Sequence, residues 1–157
     1  MKDQKGFSLV ELLIVVTIIL VISAIAIPSY LRSRMQANEA AAVSALRTIN
    51  TAAVTYSATY ADVGFPPTLA SMGGASPCAP SATTACMLDD ALAQGRKNGF
   101  KFEWTGDGLT PSASYTVTAT PVSVGSSGQR MFCTDLAGVI RFEPSGAGCN
   151  LASSPVQ

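Results

Sequence analysis

The chain has 157 residues, and its ten lysine and arginine residues balance ten aspartate and glutamate residues. A formal charge of zero produces no net field that would attract nucleic acid or an acidic substrate, so no dedicated nucleic-acid ligand is expected. Histidine is absent, which counts against an enzyme, a metal site or a haem-attachment motif because histidine is the commonest general base and metal ligand. No cofactor is expected either. The length leaves room for one small globular domain beside a long apolar segment.

The first predicted element is a long helix over residues 7–60. Only one proline, Pro28, and no glycine lie between Gly6 and Gly64. Residues 7–27 are almost continuously apolar and are long enough, as a helix, to cross a hydrocarbon core of about 30 Å. We therefore predict a transmembrane helix there.

Beyond the apolar run, residues 28–60 are predicted to continue the same helix with an amphipathic pattern. Pro28 removes one backbone hydrogen bond, so a kink is expected at that point rather than an end. Apolar residues then recur at spacings of three and four, which places them on one face that must pack against another element. They are Val43, Leu46, Ile49, Ala53, Tyr56 and Tyr60.

Residues 61–98 are predicted to form a connecting loop, because glycine and proline are frequent and only residues 87–94 show helical periodicity. Residues 99–157 then alternate apolar and polar side chains around three turn signals, at residues 106–108, 126–128 and 135–138. We expect about four antiparallel strands from this pattern. Packing the amphipathic half of the helix on one face of that sheet gives an α+β fold.

Four cysteines follow the apolar segment, and none of them has Cys-x-x-Cys spacing. An even number without that spacing favours disulfides over zinc, and hence an oxidising compartment. Three pairings are possible. The sequence-local pairs Cys78–Cys86 and Cys133–Cys149 are favoured because each would bridge a loop rich in glycine and proline, the second of them C-terminal.

Glu11 is the unusual residue of the apolar helix, since a carboxylate in a membrane-spanning segment is costly unless it is paired or functional. Removal of residues 1–6 would create an amine on Phe7, four residues before Glu11 and at the positive end of the helix dipole. Pairing that amine with a carboxylate, within a chain or between neighbouring chains, relieves two unfavourable charges. Glu11 is therefore predicted to act in assembly.

The stretch KGFSLVELLIVV, residues 5–16, resembles the N-terminal cleavage and methylation motif of type IV pilins and of the pseudopilins of type II secretion. The resemblance implies that residues 1–6 are a leader, that a prepilin peptidase cuts after Gly6, and that Phe7 is then methylated. It also implies that Glu11 engages the amine of a neighbouring subunit. Two lysines in the leader fit a cytoplasmic end.

From this resemblance we expect a structural subunit of a type IV pilus, a fimbrium used for adhesion, twitching motility or DNA uptake, with the pilin fold. The expected partners are other copies of the chain and related pilins, the peptidase, the inner-membrane assembly machinery and lipid. Before assembly the chain would be a single-pass inner-membrane protein with a periplasmic head, and afterwards part of a surface filament. Two alternatives remain: a pseudopilin or minor pilin, and an ordinary secreted domain cleaved after Ala26.

Other polar groups give weaker signals. Asp89 and Asp90 are adjacent, so their side chains diverge on a helix and do not form a catalytic pair. Arg96, Lys97 and Lys101 form a small basic cluster that could contact DNA or an acidic surface of a neighbouring subunit, but an exposed loop before a strand is the favoured interpretation. Without a nucleophile and base pair, catalysis is not expected.

Overall fold

The computed structural model describes residues 7–146, 148–150 and 152–156. The chain forms two compact units, and the division between them falls after Arg34. Helix α1, Leu9–Thr59, begins in the first unit and ends in the second.

The first unit contains the apolar part of α1. Within the described part of the chain, α1 is the one helix long and apolar enough to cross a membrane, and none of that apolar stretch is buried. Such a surface is stable only when lipid or other apolar helices cover it. Helix α1 continues through Pro28, so the proline does not end it. The kink stays a prediction.

The second unit contains the remainder of α1, a 3-10 turn, a short second helix and the sheet. The turn spans Ala70–Met72 and helix α2 spans Asp90–Ala93. Along α1, the buried positions recur every three or four residues, as expected for a helix that packs one face. The predicted residues Leu46, Ile49, Ala53 and Tyr56 are all fully buried in the core.

All neighbouring strands of the sheet are antiparallel, and their order in space is their order in sequence. The alternating burial of the third strand follows from its side chains pointing in turn to the helix and away from it. Its buried residues pack with those of α1 in one core. The strands are β1 Arg96–Lys97, β2 Phe100–Gly106, β3 Tyr115–Pro121, β4 Met131–Asp135, β5 Arg141–Glu143 and β6 Ser154–Pro155.

The α+β prediction is confirmed, but the expected number of strands is wrong, since the described residues form six. The two unexpected strands, β1 and β6, are two-residue edge strands, too short to show alternation. Strand β1 lies within the predicted loop 61–98 and pairs with β2 through a tight turn at Asn98–Gly99. Both turn residues have positive φ, 49° and 75°, and Asn-Gly is the usual sequence of such a hairpin.

Helix α2 is also shorter than the helix predicted over residues 87–94. Asp89 caps it by accepting a hydrogen bond from the Leu92 amide at 3.1 Å, so the helix begins only at Asp90. The preceding amides of Met87 and Leu88 donate to the Met72 carbonyl. These two amides hold the segment on the 3-10 turn, and a helix cannot extend back through it.

Candidate functional site: the carboxylate at the helix start

The N-terminal turn of α1 places a carboxylate against the backbone amide of the residue that precedes the helix. Glu11 accepts a hydrogen bond from the Ser8 N–H at 2.8 Å, and the Leu12 amide donates to the Ser8 carbonyl at 3.2 Å. Ser8 therefore stands at the N-cap and Glu11 at the third helical position, where glutamate completes the carboxylate half of a capping box. Sequence reasoning missed this local role, although the spacing Ser-x-x-Glu is its signal.

The residues around the predicted cleavage point adjoin this turn. Gly6 lies outside the described residues. Phe7 precedes the helix and its side chain is 78% exposed. The backbone nitrogen of Phe7 is one residue before the amide that Glu11 accepts. A positive charge created on that nitrogen would arise beside an existing carboxylate and at the positive end of the helix dipole.

A second carboxylate, Glu39, connects α1 to the loop between β3 and β4. One of its oxygens accepts the backbone N–H groups of Gln129 at 2.7 Å and Arg130 at 3.0 Å. The other oxygen accepts a hydrogen bond from Nε of Arg130 and forms an ion pair with Nη2 of the same side chain, each at 2.8 Å. We call these three residues the Glu39 cluster.

The Glu39 cluster is strongly anchored because Glu39 is only 5% exposed. Burial by itself would raise the pKa of this carboxyl, but the two backbone donors and the Arg130 guanidinium outweigh it and lower the pKa. The guanidinium also lies over the rings of Phe132 and Phe142, 5.5 and 5.3 Å from their centroids. Sequence reasoning did not select Glu39, since no local pattern distinguishes it from an exposed helical glutamate.

A buried polar contact joins α1 to the sheet farther along. The Asn50 side chain donates to the Thr134 hydroxyl at 2.9 Å and accepts from the Tyr115 hydroxyl at 3.2 Å. Burial and the nearby Asp135 charge raise the pKa of Tyr115. These hydrogen bonds satisfy polar groups in the core and thereby fix the position of the helix on the sheet.

The cysteine pairing predicted from proximity in sequence is confirmed. Cys78 is bonded to Cys86, and Cys133 in β4 is bonded to Cys149. The first disulfide closes a loop that the Tyr56 hydroxyl reaches from α1, donating to the Ala82 carbonyl. Both disulfides thus constrain loops that pack on the helix or the sheet.

The weaker polar clusters are organised as structural contacts. Asp89 caps α2 and forms an ion pair with Lys97 at 2.7 Å, and Lys101 pairs with Glu103 at 2.7 Å. Two of the three residues of the basic cluster are thereby neutralised. Within the described ranges, no group of three acidic, cysteine or histidine side chains could hold a metal ion.

The comparison with protein families selects the same segment as the site. The family described as the prokaryotic N-terminal methylation motif matches residues 1–27. The N-terminal segment is thus similar to this methylation motif over 27 residues. This match includes Gly6, Phe7 and Glu11, and it agrees with the expectation drawn from residues 5–16.

Curated relatives extend the pilin-like similarity somewhat beyond that motif. A fimbrial protein of Pseudomonas aeruginosa is 49% identical over 53 residues, which are 34% of this chain and 34% of the relative. The type IV wide pilus major component PilA4 of Thermus thermophilus is 49% identical over 39 residues, 25% of this chain and 30% of the relative. The chain thus spans about a third of the length of the curated relatives it matches. No solved structure matches it.

Proposed function

We propose that this protein is a structural subunit of a type IV pilus, held in the inner membrane by residues 7–27 and assembled from there into a helical filament. The observation that carries the proposal is the methylation motif together with a glutamate at the first turn of an otherwise apolar helix. Prepilin peptidase would cut after Gly6 and methylate the Phe7 amine. Other copies of the chain would then replace lipid around the apolar helix surface.

The geometry supports a change of partner at Glu11 during assembly. In the single chain its carboxylate accepts the Ser8 amide, a neutral donor. A methylated Phe7 amine, on the same chain or a neighbouring one, would offer a charged donor and so a stronger hydrogen bond. Because this pair forms inside an apolar helix bundle, it would fix the axial register of subunits that are otherwise held by nonspecific apolar contact.

Two observations favour a pilus over the alternatives. The relatives' names describe fimbrial or wide-pilus components, which supports a pilus subunit over a pseudopilin. Helix α1 continues past Ala26 without interruption, which supports an anchor over a cleaved secretory signal.

Mass spectrometry of the mature chain distinguishes the anchor from the secretory signal. Methylated Phe7 at the N-terminus supports the pilin, and a chain beginning at Ile27 refutes it.

The role of Glu11 is tested by two substitutions in the full chain. Glu11→Gln keeps a side-chain acceptor for the Ser8 amide but loses the charge, whereas Glu11→Ala loses both. We expect both variants to be processed and inserted normally, and both to lower incorporation into filaments by about tenfold or more, as loss of at least 1.4 kcal/mol would do.

Electron microscopy and immunoblotting of sheared filaments measure that incorporation. Normal filament yield from Glu11→Gln with a deficit in Glu11→Ala would assign Glu11 to helix capping alone. Normal yield from both variants would remove Glu11 from assembly altogether.

A further inference from the structure

Two exposed valines lie on an ordered loop at one end of the sheet. In the loop between β3 and β4, Val122 is 63% exposed and Val124 is 54% exposed. The Val122 amide donates to the Gly99 carbonyl at 2.9 Å, and the Asn38 side chain of α1 donates to the Ser127 carbonyl at 2.9 Å. We call Val122 and Val124 the valine tip.

An apolar groove of 330 Å³ lies on the loops at the other end of the sheet. Leu109, which is 65% exposed, stands on its rim. We call this feature the proline groove. Its apolar lining residues are Val63, Phe65, Pro66, Pro67 and Leu109.

Hydrogen bonds hold the walls of the proline groove in place. The Asp107 carboxylate accepts the Leu109, Ala113 and Ser114 amides at 3.1, 2.8 and 3.0 Å. On the other wall, the Ser112 amide donates to the Val63 carbonyl at 2.8 Å. A groove of fixed shape receives an apolar side chain without first losing loop entropy.

Strand β3 shows that the two features lie at opposite ends of the sheet. It begins at Tyr115, directly after the loop that lines the groove, and ends at Pro121, directly before the valine tip. Seven residues of strand separate them by roughly 20 Å. A contact between the tip of one copy and the groove of another joins two different surfaces, so it repeats without closing, as a filament requires.

The charges around the groove are consistent with a tip that carries no acidic side chain. Asp62, Asp107 and Asp135 lie at the groove end, and among the described residues none of them is in an ion pair. The loop that carries the tip, residues 122–130, contains no aspartate or glutamate. These three carboxylates would favour an apolar or cationic group at the groove over an anionic one.

We propose that the valine tip of one subunit packs into the proline groove of the next copy of this chain and forms the contact between heads in the filament. This proposal rests on the proposed function, because only an assembled subunit has such a neighbour. It goes further than the proposed function because it names the two surfaces in contact and states that they are unlike, so that every subunit points in the same direction along the filament.

Disulfide cross-linking in the full chain tests the contact. Sheared filaments carrying both Leu109→Cys and Val124→Cys should give a ladder of covalent oligomers on a non-reducing gel. Either substitution alone should give monomers, since the contact joins unlike surfaces. The control pair Leu109→Cys and Glu103→Cys places one cysteine on the exposed middle of β2 and should give no ladder. Mass spectrometry confirms that the two native disulfides are retained.

The outcomes separate this inference from the proposed function. Filaments that contain the doubly substituted chain but give no ladder would overturn the tip and groove contact and leave the pilus function standing. A dimer from either single variant would show a contact between like surfaces and also overturn it. Absence of even the unsubstituted chain from filaments would overturn both proposals.

A pair of opposite charges at the tip gives a second measurement that does not need an added cysteine. Val124→Asp meets the acidic groove and should lower filament yield by about tenfold or more, whereas Val124→Lys should lower it less. Both substitutions are at the same exposed position, so their effects on folding should match, and the Trp104 fluorescence of each variant checks this. Equal yields from the two variants would contradict the contact.

Discussion

Substitution of the buried Glu39 by alanine should destabilise the second unit more than removal of any exposed charge of that unit. The substitution removes the acceptor of two backbone amides and the ion partner of Arg130 at once. It also leaves the Arg130 guanidinium over two aromatic rings without its carboxylate. The local helix is unaffected, because alanine is the best helix former.

The expected loss follows from the contacts one by one. Each backbone amide left without an acceptor costs about 1 kcal/mol here, the low end of the usual range, because water reaches this loop. The charge-assisted bond to Arg130 adds about 1 kcal/mol after allowance for the Arg130 side chain, which is 42% exposed. The free energy of unfolding should therefore fall by about 3 kcal/mol, and the melting temperature by roughly 10 °C.

The sole tryptophan, Trp104, reports the unfolding of this unit alone. It lies in β2 and stacks on Tyr115 with ring centroids 4.5 Å apart, far in sequence from the apolar helix. Denaturant titration of the full chain in detergent, followed by Trp104 fluorescence, gives the free energy of unfolding. Lys101→Ala, which breaks an exposed ion pair, should change it by less than 1 kcal/mol. A loss below about 1 kcal/mol in Glu39→Ala would refute the reasoning.

Three further predictions use the same measurement. Because the pKa of Glu39 is lowered below its ordinary 4.5, its contribution is complete above that value and is lost as the pH falls through the lowered pKa. Glu39→Gln should therefore flatten the decline in stability between about pH 5 and 3, and parallel curves would contradict this. Replacing both Cys133 and Cys149 by serine opens a disulfide-closed loop whose ends are 16 residues apart. The free energy of unfolding should fall by roughly 3 kcal/mol, and unchanged stability would show that the disulfide contributes nothing. Gly128→Ala would place a Cβ 2.6 Å from Cζ of the buried Phe100 ring and should cost about 1 to 3 kcal/mol, whereas a neutral result would mean that the ring moves freely.

The elements with a strong local pattern were predictable from the sequence. The apolar run, the period of three to four in α1 and the period of two in β2 and β3 each depend on residues near one another in the chain, so a short window is sufficient. The local disulfide pairs were predictable for the same reason, since each spans a short loop. Elements of two residues, such as β1, have no period to detect.

The sequence motif draws attention to Glu11 but gives no geometry for its carboxylate. The motif around Glu11 selects the carboxylate and the amine that is expected to meet it. Glu11 accepts the Ser8 amide in the single chain because the helix begins at Leu9 and places Glu11 in its first turn. The first residue of the helix thus determines which donor the Glu11 carboxylate has in a chain without a neighbouring subunit.

Neighbouring residues along the chain are enough to predict an apolar N-terminal helix with a methylation motif, its amphipathic continuation and an antiparallel sheet, because each of them is a local pattern. Only the folded chain shows that Glu39 pairs with Arg130, 91 residues away, and that the valine tip and the proline groove lie at opposite ends of one sheet. Such contacts depend on strand register and on how the helix packs on the sheet. Both are set by the whole core at once, and no local stretch of sequence carries that information.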